Sequence, residues 1–92
     1  MREEIRALVL DAIAEEFGAV HAPEFSVVPT ENSTHGDYAT NAALLMAKSA
    51  GMKPMDAAER IKNKISCGDL IEKIEIAPPG FINFFLSEHA LR

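Results

Sequence analysis

The tightest constraint on what this chain can fold into lies near its end. The runs Leu70 to Ala77 and Phe81 to Leu86 both alternate, and only Pro78-Pro79-Gly80 separates them. Three residues of that composition make a tight turn, so the two runs are expected to form an antiparallel hairpin. Pairing Ala77 with Phe81 sets Ile76 opposite Ile82 and Ile74 opposite Phe84. Strand side chains alternate between faces, so one side of the hairpin becomes wholly apolar and needs cover from the rest of the chain. The other side presents Lys73, Glu75, Phe81, Asn83 and Phe85.

The cover is legible upstream. Ile5, Leu8, Val9, Ala12, Ile13 and Phe17 recur at i, i+3 and i+4, which predicts an amphipathic helix over 2–17, closed by Gly18. After Pro23, Phe25-Ser26-Val27-Val28 reads as a short strand stopped by Pro29. Glu31 to Gly36 is turn chemistry, and Asp37 is expected to cap a second helix over 38–50. Tyr38, Ala39, Ala42, Leu45, Met46 and Ser49 would give that helix a small-residue stripe, with Gly51 ending it. Pro54 suits the first turn of a third helix reaching Ser66, with Met55, Ala58, Ile61 and Ile65 inward. The expected class is α+β: a small antiparallel sheet with helices packed on one face, in the order α-β-α-α-β-β. Residues 1–86 make one domain. Ser87 is a good N-cap, so 87–92 read as the start of a connecting helix that leads into something larger.

Composition narrows the function. A chain of 92 residues, 48% apolar and 25% charged, is one ordinary globular domain. The single Cys67 forms no internal disulfide, and with His21, His35 and His89 scattered no metal site is expected. A lone thiol fits a reducing cytosol, so a cytoplasmic location is expected. No apolar run approaches the roughly 20 residues of a membrane span, and no signal peptide is visible, so no membrane partner is expected. The net charge of −5 argues against nucleic acid, yet its distribution is uneven. Residues 1–46 hold two bases against eight acids, and residues 47–92 hold seven bases against six. Lys48, Lys53, Arg60, Lys62, Lys64 and Lys73 are therefore either a weak phosphate-contacting face or solvated helix exteriors.

Phe81, Asn83 and Phe85 are the constellation of interest. An asparagine amide offers a donor and an acceptor in one plane, enough to read a base edge. An aromatic ring two residues away on the same strand face offers a platform for an unpaired base. The same rings also fit a plainer role, packing on a neighbouring loop or on another part of a larger protein. His35-Gly36-Asp37 lacks a third partner for acid–base or metal chemistry and reads as a turn and cap. Asn41 is expected to tie the preceding loop to the helix, and Cys67 reads as a small structural residue. No phosphate-cradling glycine loop, nucleophile elbow or carboxylate pair is present, so no catalytic residue and no cofactor is assigned.

Three segments carry a resemblance: His35-Gly36-Asp37-Tyr38-Ala39-Thr40-Asn41-Ala42-Ala43-Leu44, then Pro54 with Ala57-Ala58-Glu59-Arg60-Ile61, then Ile74-Glu75-Ile76-Ala77-Pro78-Pro79-Gly80-Phe81-Ile82-Asn83-Phe84. In this order they resemble the N-terminal domain of arginyl-tRNA synthetases. The resemblance implies a non-catalytic fragment of an arginine–tRNA ligase, a class I aminoacyl-tRNA synthetase. In that family a separate body uses ATP and arginine as substrates, and its H-I-G-H-type and K-M-S-K-S-type signatures are absent from this chain. It implies two partners, arginine-accepting tRNA contacted at the D-loop of its elbow, and the remainder of the synthetase. Family members hold a D-loop base, nucleotide 20 in tRNA numbering, with an aromatic and an amide residue on the last strand. Phe81 and Asn83 match those positions, and Phe85 and Lys73 complete the expected tRNA-binding set. Many relatives have Gly where this chain has Pro78, so a stiffer turn is expected here. The alternative is a scaffold domain that docks onto the rest of the synthetase without reading a base.

Overall fold

The computed structural model describes residues 2–18, 24–31, 36–65 and 68–87. Three helices, α1 (Arg2–Phe17), α2 (Ala42–Ala50) and α3 (Pro54–Lys64), pack on one face of a sheet. The sheet contains β1 (Val27–Pro29), β2 (Tyr38–Thr40), β3 (Ile71–Ala77) and β4 (Phe81–Leu86), in the spatial order β1-β2-β4-β3. Every neighbouring pair is antiparallel.

The hairpin has the expected register. Ala77 pairs with Phe81, Ile76 with Ile82 and Ile74 with Phe84, with an irregularity between Ile71 and Lys73. Phe84 and Ile82 are fully buried, and with Ile5, Val9, Ile13 and Ile61 they form the centre of the core. Helix α1 runs over the expected residues. Gly18 follows it with a positive φ, its N–H donating to the Ala14 carbonyl. Gly51 closes α2 in the left-handed region, a conformation a Cβ disfavours. Pro54 opens α3, as expected, and α3 ends at Lys64 rather than Ser66.

The element order is α-β-β-α-α-β-β, which adds a strand to the expected order. Tyr38-Ala39-Thr40, expected as the first turn of a helix, is β2, pairing with Phe84, Asn83 and Ile82 of β4. The apolar spacing there fits both states, and the waiting edge of β4 decides between them. Asp37 therefore caps nothing. Its carboxylate accepts from the Leu86 N–H at 2.8 Å, and its own N–H donates to the Phe84 carbonyl at 2.8 Å. The first amide of α2 is satisfied instead by Thr40, whose Oγ1 accepts from the Ala42 N–H and donates to the Ser26 carbonyl. Asn41 precedes α2 and, instead of tying the preceding loop to that helix, accepts from the Ser26 N–H at 2.8 Å. Strand β1 is shifted to Val27–Pro29, and Pro29 ends it from within, which an edge strand tolerates. Met55 is exposed and Ala57 takes the inward place, while Ser49 is exposed beside the buried Met46 and Ala47 of α2. His35, Cys67 and residues 88–92, with the expected connecting helix, lie outside the described residues.

Candidate nucleic-acid interface

The face of the sheet away from the helices is built on β4, which has a strand on either side. Across its middle runs the row Val28, Ala39, Asn83, Glu75, one residue from each strand. The small Ala39 beside Asn83 leaves a concavity of about 420 Å³, walled by Thr30, Ala39, Ala77, Pro78, Phe81 and Asn83. Phe81 is 38% exposed at its rim. Asn83 is 7% exposed, because a central-strand residue is flanked on four sides. The Asn83 amide makes no hydrogen bond with a described residue. No fully sealed side-chain nitrogen or oxygen among the described residues lacks a partner, so the amide's polar atoms keep some exposure, and Asn83 lines the concavity. A recessed planar amide beside a half-exposed ring is a geometry that accepts a flat, polar-edged group.

Phe85 and Lys73 form a separate pair toward the other end of the strands. The Lys73 Nζ lies 4.4 Å from the centroid of the Phe85 ring and 3.3 Å from the Glu75 Oε2. Both charged side chains are half exposed, so the ion pair contributes about 0–1 kcal/mol, and the cation–π contact about 0.5–1 kcal/mol. The four sequence-expected residues thus share one face as two groups, Phe81 with Asn83 and Phe85 with Lys73. Other described bases of the second half lie elsewhere. Arg60 sits 3.8 Å from Glu16 of α1, and Lys48, Lys62 and Lys64 belong to the helical layer.

Two supports of this face are silent in a local reading of the sequence. The turn is closed by the Gly80 N–H donating to the Ala77 carbonyl at 2.9 Å, and its Pro78–Pro79 peptide is cis. Gly80 backs directly onto Pro54, where an added Cβ would fall 2.7 Å from the Pro54 Cβ. The residue that starts α3 is therefore also the buttress that holds the hairpin tip next to Phe81. At the other end Gly36, with φ +88°, lies so close to β4 that a Cβ would meet the Phe84 carbonyl oxygen at 2.7 Å. The Gly36-Asp37 pair is thus the fastening of β2 to β4, and Ala39 reaches its place beside Asn83 because of it. The signal for both was present as a glycine next to a turn, but its partner lay far along the chain.

Among the described residues no group of three or more His, Cys, Asp or Glu is placed to hold a metal ion, and no helix is long and apolar enough to cross a membrane.

Comparison with known proteins agrees with this architecture. Residues 3–86 match the family model of the arginyl tRNA synthetase N terminal domain. The arginine–tRNA ligase of Pseudomonas fluorescens strain SBW25 is 42% identical over 96 residues, spanning 99% of this chain and 17% of the relative. That of Pseudomonas aeruginosa strain LESB58 is 40% identical over 90 residues, spanning 92% of this chain and 15% of the relative. Among solved structures, the arginyl-tRNA synthetase of Plasmodium falciparum superposes with a TM-score of 0.84 at 24% identity, over 96% of this chain and 16% of that one. The Thermus thermophilus arginyl-tRNA synthetase does so with a TM-score of 0.75 at 22% identity, over 99% of this chain and 15% of that one. At such identities the two structures bear on the fold alone.

Proposed function

The chain belongs to the arginyl-tRNA synthetase N-terminal domain family, and from that premise we propose that it is a tRNA-binding module which contacts the D-loop at the tRNA elbow. Its partners on this reading are arginine-accepting tRNA and the remainder of a synthetase that joins arginine to tRNA with ATP, in the cytoplasm. The module itself binds no cofactor and performs no chemistry. It adds contacts at the elbow, and so positions the tRNA for a reaction carried out elsewhere in the larger protein.

The observation that carries the reading is the pairing of a partly exposed Phe81 with the recessed Asn83 amide, which has no partner among the described residues, in one concavity. A base splayed out of the D-loop stacks on Phe81 and exchanges hydrogen bonds with Asn83 along its edge. Phe85 and Lys73 lie under the flanking nucleotides, with Lys73 held over the ring as a cation whose charge Glu75 partly offsets. One feature favours the scaffold alternative: Val28, on the same face, is 47% exposed and apolar, as a surface that docks on protein would be.

Adding arginine-accepting tRNA to the 92-residue chain separates the two. The base-reading role requires the amide resonances of Phe81 to Phe85 to shift in a saturable way, more than those of the exposed helix residues. Shifts confined to α2 and α3, or none, leave the docking role. Arginine-dependent exchange of pyrophosphate into ATP by the purified chain would overturn the non-catalytic reading outright.

A further inference from the structure

Residues 1–46 contain two bases, Arg2 and Arg6, among eight acids. The fold brings both of them to one place. One turn apart on α1, they line a concavity of about 350 Å³ against the outer side of β1, together with Glu24, Ser26 and Val28. Arg6 is anchored there, donating from one guanidinium nitrogen to the Phe25 carbonyl at 2.7 Å, with its guanidinium carbon 4.6 Å from the centre of the Phe25 ring. That leaves the rest of its donors for another acceptor. Arg2 is exposed and makes none of the described ion pairs.

This basic concavity is continuous with the candidate interface. It shares Ser26 and Val28 with a smaller hollow that is walled by Ala39, Asn41 and Phe81. That hollow shares Ala39 and Phe81 with the concavity holding Asn83. A single strand, β2, separates β1 from β4, so the span is about 10 Å at the usual interstrand spacing. It is within reach of the backbone flanking a base stacked on Phe81. A planar guanidinium, with paired N–H donors, suits a phosphodiester oxygen pair better than an ammonium does.

We infer that Arg2 and Arg6 contact the phosphate backbone of the same RNA segment whose base rests on Phe81 and Asn83. The RNA then crosses the open sheet face from β4 toward β1 and leaves past the start of α1, not along the lysines of α3. Glu24 at the margin of the site is the one carboxylate in its wall, and it limits how tightly a lone anion binds. The inference rests on the tRNA-binding reading above.

Binding of arginine-accepting tRNA to the chain, followed against salt concentration, tests it with Arg2→Gln, Arg2→Gln/Arg6→Gln, Lys62→Gln/Lys64→Gln and Phe81→Ala. Each single-strand phosphate contact contributes about 0.7 to the slope of log affinity against log salt. Arg2→Gln is expected to flatten the slope by up to that amount, the double arginine variant by up to about twice as much, and the lysine pair to leave it unchanged. Arg2→Gln decides the matter alone if loss of the Arg6–Phe25 bond unfolds the double variant. Phe81→Ala weakening binding while both arginine variants keep the wild-type slope removes the phosphate site and spares the tRNA-binding reading. A flattened slope with no effect of Phe81→Ala refutes the shared path. No binding by the wild-type chain even at low salt removes both.

Discussion

The two sides of β4 carry similar residues and have opposite fates. Ile82, Phe84 and Leu86 point into the helical layer and are buried, two of them completely. Phe81, Asn83 and Phe85 alternate with them along the same six residues and face away from every helix. Phenylalanine occurs on both sides, so residue type does not separate core from site. Cover does. Three helices supply the inner side with apolar partners, while among the described residues no helix covers the outer side. A consequence is that loss on the inner side should appear as stability, and loss on the outer side as binding.

The largest expected effect is on the inner side. Phe84→Ala should destabilise the chain by about 3–5 kcal/mol, since the ring is fully buried and its removal leaves a cavity. Chemical denaturation reads this, and a variant that melts normally but fails on tRNA would mean the two sides are assigned backwards. Next comes Asp37, which belongs to the backbone fastening rather than to either side chain layer. Asp37→Ala strands the Leu86 N–H and should cost about 1–3 kcal/mol, whereas Asp37→Asn keeps an acceptor oxygen and should recover much of it. Equal losses in the two variants would show that the carboxylate charge, not the hydrogen bond, holds β2 to β4.

The outer side should respond in the other observable. Phe81→Ala is expected to weaken tRNA binding by about 1–3 kcal/mol and Asn83→Ala by about 0.5–1.5 kcal/mol. The midpoint of unfolding should move less for Phe81→Ala, a residue 38% exposed, than for Phe84→Ala, which is fully buried. Changing the D-loop base should add little to the Asn83 loss, because the partner is already gone. A full further loss would place the base elsewhere on the face. The smallest effect belongs to Lys73→Gln, about 0.5–1 kcal/mol in stability from its contact with Phe85. A larger loss in tRNA affinity than in stability would assign Lys73 to the RNA rather than to the ring.

Pro54 and Gly36 illustrate why the site was only half legible. Phe81, Asn83, Phe85 and Lys73 follow from period-two alternation once the turn is placed, so the face they share is a local property of the hairpin. What aims that face is not local. Pro54 buttresses the Gly80 turn from another element, and Gly36 lets β2 approach the Phe84 carbonyl. Arg2 and Arg6 reach the edge of β1 only because α1 lies along it.

The sequence by itself determined the helix over Arg2–Phe17, the start of α3 at Pro54, and the register of β3 on β4. Each depends on hydrogen bonds or turn chemistry between residues close in the chain, where spacing and composition are direct evidence. Tertiary structure alone decided that Tyr38-Ala39-Thr40 is a strand and that Asp37 serves Leu86 instead of a helix. A helix closes its hydrogen bonds within four residues, so its signals sit beside it. A strand takes its identity from its partners, and for β2 the one that fixes it in the sheet is β4, two helices and a strand further along the chain.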